Sequence, residues 1–238
     1  MQPPFPCPTA IWHNDTYESI SPLRPELSVA GKTVIIVGGG SGIGRETALA
    51  FATAGAAHVA LFGRTDATLQ ETAASILSAG KASCSVHIGD LTKADTLQSA
   101  AAAVGKWHVL VLSSGYCPTP STVSSSEEVE WWKGFETNVH GTFLAARAFL
   151  PTADPSQAAI LGVISDTSLL PVSYLTGLSS YVSSKLAQAK VYEFLAAENP
   201  NIFIATIHPG VIETNTFNRS GATAENLPMD KGKNTQHF

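Results

Sequence analysis

The chain has 238 residues, 44% hydrophobic and only 14% charged, against a usual charged share of about a quarter. That balance excludes a disordered protein over most of its length, and the length suits one large domain. A net charge of -5 gives no general attraction to nucleic acid or to an anionic membrane, so neither is expected as a partner.

Residues 1–30 hold six prolines and no sustained hydrophobic period, which predicts an irregular arm. The first basic side chain is Arg24, so no signal peptide is expected. No stretch approaches the roughly 18 apolar residues of a membrane span, and a cytoplasmic location is the expectation. The cysteines, Cys7, Cys84 and Cys117, lack metal-ligand spacing and read as reduced thiols.

From Gly31 the pattern changes. Thr33–Val37 is a β-branched run without alternation, as expected of a strand buried on both faces. A helix is predicted over Ile43–Ala54, a strand over Val59–Phe62 and a helix over 67–78. A strand at Ser83–His87, a helix at 93–103 and a strand at Val109–Leu112 follow. A long helix over 127–149, a strand over Ala158–Ile164, a helix over 179–198 and a strand over Ile202–Ile207 complete the series. Six strands alternating with helices imply a doubly wound parallel sheet, a three-layer α/β/α Rossmann fold. The expected domain spans 31–217, with a polar tail over 218–238.

Between the first strand and first helix lies Gly38-Gly39-Gly40-Ser41-Gly42-Ile43-Gly44. A phosphate bound there needs a tight turn, backbone N–H groups that approach closely, and a helix N-terminus aimed at the charge. Gly38, Ser41, Gly42, Ile43 and Gly44 are therefore candidate cofactor contacts. The second strand ends Gly63-Arg64, where NAD enzymes of this architecture carry an acid for the ribose hydroxyls. A guanidinium matches a phosphate instead, so NADP(H) is expected over NAD(H), although Arg64 also reads as a solvated charge. Tyr181 and Lys185 stand four residues apart on a predicted helix and share a face. An ammonium near a phenol lowers its pKa from about 10, which fits the tyrosine for acid–base work on a carbonyl or alcohol.

The G-x-x-x-G-x-G spacing and the Tyr181–Lys185 pair resemble the short-chain dehydrogenase/reductase family over about residues 31–217, with filamentous-fungal members the most alike. The resemblance implies an NADP(H)-dependent oxidoreductase moving a hydride between the nicotinamide and an apolar ketone or secondary alcohol, in natural-product biosynthesis. It implies Tyr181 as acid/base, Lys185 as its partner and ribose contact, and Asn138 as keeper of a proton relay. The substrate-facing serine is Ser165 by the strand alignment, or Ser168 by the count back from Tyr181. The resemblance further implies cofactor contacts at Asp90, Ser113, Gly115 and Arg147, and at Ile212 and Thr214 after Pro209-Gly210. Asp90 reads equally as a loop acid, and Arg147 as a plain solvated charge.

The chain departs from the family pattern in several places. Val37 stands where the family has Thr, and Ser113 where it has Asn. No β-branched run follows Gly210, so the usual seventh strand is expected to be missing. The apolar loop Leu169–Leu175 is expected near the substrate, and the helices at 127–149 and 179–198 as a homo-oligomer surface. A non-catalytic NADP-binding relic or partner subunit, and a cyclase or isomerase on the same fold, are the alternative readings.

Overall fold

The structure is a computed structural model that describes residues 13, 15–80, 82–165, 167 and 170–222. Cys7, Asp166, Ser168 and most of the C-terminal tail lie outside the described residues. Six strands form one parallel sheet: β1 (Thr33–Val37), β2 (His58–Gly63), β3 (Ser83–Ile88), β4 (Val109–Leu112), β5 (Ala159–Val163) and β6 (Phe203–Ile207). Their spatial order is β3-β2-β1-β4-β5-β6, all pairs parallel. The chain winds outward from β1 through β2 to β3, then crosses back to β4 and winds the other way. The β1/β4 junction is therefore the point where strand order reverses, and ligands of such sheets bind in the crevice at the strand C-termini there.

The buried runs predicted for β1 and β2 have this cause. Val34, Ile36, Val59 and Leu61 face one side, against Ala48 and Ala52 of α1 (Gly42–Thr53) and Leu69, Ala73 and Ile76 of α2 (Asp66–Ser78). Ile35, Val37, Ala60 and Phe62 face the other. They pack with Leu97 of α3 (Ala94–Val104), with Trp107 and Phe149, and with Tyr192. Helices cover both faces, so the alternation of an open sheet is absent. β6 ends one side of the sheet, with Phe203 and Ile207 exposed. The described residues of the arm form two short 3₁₀ turns, Glu18–Ile20 and Pro25–Leu27, before Val29 and Ala30 join the domain through Ala54 and Ala56.

The long helix expected over 127–149 is not uniform. It divides into α4 (Glu128–Phe135), a π turn at Glu136–His140, and α5 (Gly141–Phe149). A π turn inserts one residue into the helical ladder and is frequent at functional sites; no sequence period announces it. α6 (Ser179–Glu198) runs as expected, and α7 (Asn215–Arg219) follows β6, inside the stretch expected to be the end of the domain and a loose tail.

α6 is placed close to the sheet by Gly162. A Cβ built there would overlap the Tyr192 ring, which is itself buried. Gly162→Ala should therefore cost about 1–3 kcal/mol through overpacking. Urea unfolding checks this: the transition midpoint should fall while the slope is unchanged.

Candidate active site

The glycine turn has the geometry of a phosphate cradle. Gly38 and Gly42 have φ of 92° and 51°, a region that disfavours other residues. A Cβ on Gly44 would collide with the Gly38 carbonyl, so α1 can approach β1 this closely only with glycine. Ser41 precedes α1 without a side-chain cap, leaving the first-turn N–H groups to meet an anion. The chain thus fits a dinucleotide pyrophosphate at Gly38–Gly44. Thr214 lies beside the turn, its Cγ2 3.2 Å from a Cβ built on Gly42, and Ile212 is partly buried in the same segment. Thr214 also caps α7, its hydroxyl accepting from Phe217 N at 3.2 Å.

Arg64 is exposed just past β2. Its charge reaches Asp90. Burial acts to raise the Asp90 carboxyl, but the Thr92 N–H and hydroxyl, then Arg64 and Lys93, outweigh it and hold the group below its usual range. The Thr92 contacts, at 2.8 and 2.9 Å, make Asp90 the anchor of its own loop, with Arg64 as its electrostatic neighbour.

At the end of β4, the N–H groups of Ser113 and Ser114 both donate to Val37 O, at 2.9 and 3.1 Å. The Ser113 hydroxyl sits 3.0 Å from a Cβ on Gly44, so it braces the β1–β4 seam against α1. Gly115 comes next, 3.5 Å from Lys185 Nζ and 3.7 Å from Asn138 Oδ1, measured to a built Cβ. Asn138, Lys185 and Gly115 therefore converge at the strand-order reversal. Asn138 sits in the π turn and is fully buried. Its Oδ1 accepts from Tyr116 N at 2.8 Å, while its Nδ2 donates to Tyr116 O and to Ser184 Oγ, both at 2.9 Å. One carboxamide thus joins the β4 loop, the π turn and α6.

Lys185 is 5% exposed. Its ammonium donates to Val163 O at 3.0 Å and to Gln188 Oε1 at 2.9 Å, and burial pushes its pKa down to about 8. Burial pushes the Tyr181 phenol up to about 12; the Ser165 hydroxyl works against that, and the Cys117 thiol adds slightly to it. The acidic phenol expected from a neighbouring ammonium is not what the folded chain produces by itself, because burial of the phenol dominates and Lys185 is not among the groups that act on it. Ser165 faces Tyr181; the other candidate serine, Ser168, lies outside the described residues. Arg147 does not join the group: it is on the exposed side of α5, its guanidinium 5.5 Å from the Phe143 ring. Burial pushes Cys84 and Cys117 up to about 11, as suits unreactive thiols.

A cavity of about 200 Å³ opens beside Tyr181, lined by Pro118, Trp131, Leu178 and the hydroxyl-bearing Thr119, Ser121 and Ser179. Of the loop expected to meet substrate, Val172 and Tyr174 are exposed and do not line it. An unforeseen clasp closes one side. Arg219 on α7 donates to Cys117 O at 3.0 Å and to the Tyr116 hydroxyl at 2.7 Å, and that hydroxyl donates to Glu130 at 2.7 Å. Sequence reasoning missed Gln188, Tyr116, Glu130 and Arg219. Only Gln188 left a trace, as a polar residue one helical turn past Lys185.

A dinucleotide cradle at the head of a parallel sheet, beside a buried lysine and a phenol, defines a nucleotide-fold oxidoreductase site. The family described as short chain dehydrogenase matches residues 32–225. The chain is 34% identical over 212 residues to the short chain dehydrogenase pigC of Monascus ruber, across 85% of this chain and 69% of the relative. It is 30% identical over 230 residues to citE of the same organism, across 92% and 74%. Two solved structures share the fold at 25% identity. The alcohol dehydrogenase of Thermococcus sibiricus complexed with 5-hydroxy-NADP has a TM-score of 0.70 and 77% of each chain covered. A Burkholderia phymatum family member in complex with NAD has a TM-score of 0.73, with 81% of this chain and 70% of that one covered. The chain belongs to the short-chain dehydrogenase/reductase family, whose members are nicotinamide-dependent oxidoreductases.

The depressed Lys185 has a stability consequence. The unfolded chain keeps lysine protonated up to about 10.4, whereas the folded chain releases its proton near pH 8. Between those values the unfolded state binds more protons, so stability rises with pH. Lys185→Met removes this dependence. Relative to wild type, the variant should be more stable at pH 7 than at pH 10 in thermal unfolding; a difference that does not change with pH would contradict the assignment.

Proposed function

We propose that the chain is an NADP(H)-dependent oxidoreductase moving a hydride between the nicotinamide and an apolar ketone or secondary alcohol, in cytoplasmic natural-product biosynthesis. Two observations support this reading: Lys185 and Asn138 meet at Gly115 just past β4, and the Ser165 hydroxyl faces the Tyr181 phenol, one helical turn before Lys185 on α6. A bound nicotinamide would supply or accept the hydride.

The chain's own residues do the rest. Gly38–Gly44 and the N-terminus of α1 hold the pyrophosphate, and Thr214 lies beside them. Arg64 offers a fork of donors for a further phosphate, and this supports NADP(H) over NAD(H). Ser165 orients the substrate oxygen toward Tyr181. A phenol held near 12 is protonated at neutral pH and can donate to that oxygen in reduction, taking the proton back in the reverse reaction. Lys185 supplies positive charge where alkoxide and phenolate develop. Trp131, Pro118 and Leu178 give the cavity an apolar side for the body of the ketone, while its hydroxyls suit a substrate that also carries oxygen functions. Exposed Trp132, Phe143, Leu186 and Phe194 on α4, α5 and α6 support association of copies through these helices.

Tyr181→Phe should lower kcat for ketone reduction by about 10²–10⁴-fold, the usual worth of a positioned general acid, with NADPH binding retained. Turnover near wild type would end the acid–base assignment. NADPH binding by the wild type with no turnover across a ketone panel would favour the non-catalytic reading. Arg64→Ala should lower kcat/KM with NADPH by about tenfold or more, the worth of a charge-assisted phosphate contact, and leave NADH little changed. Equal loss with both cofactors would remove Arg64 from cofactor choice.

A further inference from the structure

Gln188 is one of the largest fully buried side chains, 1% exposed. A carboxamide buried among apolar groups is costly unless its donors and acceptor are met. Here they are met in one direction only. Lys185 Nζ has donors alone, so Gln188 must present Oε1 to it, at 2.9 Å. That turns Nε2 to Thr142 Oγ1, at 2.8 Å. The Thr142 hydroxyl has one hydrogen, and it goes to Asn138 O at 2.7 Å. The chain Lys185–Gln188–Thr142–Asn138 thus ties α6 to α5 and to the carbonyl of the π turn. The Tyr192 hydroxyl is buried beside the same Thr142 and Gln188 side chains without a well-formed hydrogen bond; burial pushes this phenol up and those two side chains work against it.

Among the described residues the surroundings give the ammonium no counter-ion. From β5 it meets the Val163 carbonyl, and from the β4 loop it meets Gly115. The π turn and α5 bring Asn138 and Thr142, both uncharged. The titratable groups nearby are the phenols of Tyr181 and Tyr192 on its own helix and the Cys117 thiol, which acts on Tyr181. Among the described residues no charged side chain acts on Lys185. Among the described residues the neutral carboxamide oxygen of Gln188 is therefore the one side-chain acceptor bonded to the charge.

We propose that Gln188 is the positioning residue of Lys185: its carboxamide sustains the buried ammonium and, through Thr142, fixes it to the Asn138 carbonyl, so that Nζ is held beside Gly115 at the crevice. The role in turnover rests on the reading given under Proposed function; the role in holding the ammonium does not. A hydrogen bond to the charged form raises a base's pKa, and its loss lowers it. A carboxylate at the same place would raise it further.

The test is the titration of Lys185 in the cofactor-free protein, followed by NMR of side-chain-labelled lysine and assigned by the signal lost in Lys185→Met. Gln188→Met, close in volume but without the acceptor, should lower the midpoint by about one pH unit. Gln188→Glu should raise it by a similar interval, and Thr142→Val should lower it less than Gln188→Met. In ketone reduction the alkaline limb of the kcat profile should move by the same interval as the midpoint in each variant, with KM for the ketone nearly constant. Unchanged midpoints in folded Gln188→Met and Gln188→Glu would overturn the proposal, even if the enzyme reduces ketones. If Gln188→Met does not fold, the Gln188→Glu midpoint decides. Shifted midpoints in a protein that reduces no ketone would uphold the role in holding the ammonium and refute the redox reading.

Discussion

The site depends on keeping one positive charge out of water. The Lys185 ammonium lies inside the interface of α6 with the sheet, and burial pushes it toward the neutral form, down to about 8. Three elements supply what the charge needs: β5 gives a backbone carbonyl, α6 gives Gln188, and α5 orients Gln188 through Thr142. Each partner occupies a fixed place, so the position of Nζ follows from the packing of the domain and not from side-chain freedom. A group held this way at the head of the sheet is already arranged before any ligand arrives, which is what electrostatic catalysis requires.

Asn138 is the second such joint. Its side chain makes three hydrogen bonds across segments far apart in sequence, and its backbone carbonyl accepts a fourth from Thr142. The π turn that carries it interrupts an otherwise long helix. The interruption sets Asn138 between the β4 loop and α6, and α4 and α5 continue on either side. The crevice, the cavity beside Tyr181 and the Arg219 clasp all border the β4 loop that Asn138 secures.

The local features of this arrangement were legible in the sequence. Unalternating apolar strands, helices between them and a glycine turn after the first strand describe the sheet and its cradle, because each is a pattern within a short window. The Tyr181–Lys185 spacing was legible for the same reason. Contacts between distant segments were not. Thr142 and Gln188 stand 46 residues apart, and nothing local marks them as partners. Arg219 fell in a stretch that looked like a polar tail, yet it clasps α7 to Tyr116; Arg147, singled out on the helix of Asn138, points away over Phe143. The π turn was invisible because one added residue leaves the apolar period of the flanking helices intact. The acidic phenol expected from the i, i+4 pair failed for a related reason: sharing a helical face does not settle how deeply the packing buries the phenol, and burial raises it.

The proposal is at root spatial: a nicotinamide dinucleotide would be held by Gly38–Gly44, with the Tyr181 hydroxyl turned to where it supplies the hydride. A crystal structure of the protein with NADP⁺ tests it most directly. The account predicts the pyrophosphate on the N-terminus of α1 and the ring between Tyr181 and Gly115, with the Lys185 ammonium close enough to bond the adjoining ribose. A dinucleotide bound elsewhere, or a Tyr181 hydroxyl turned away from the ring, would contradict it.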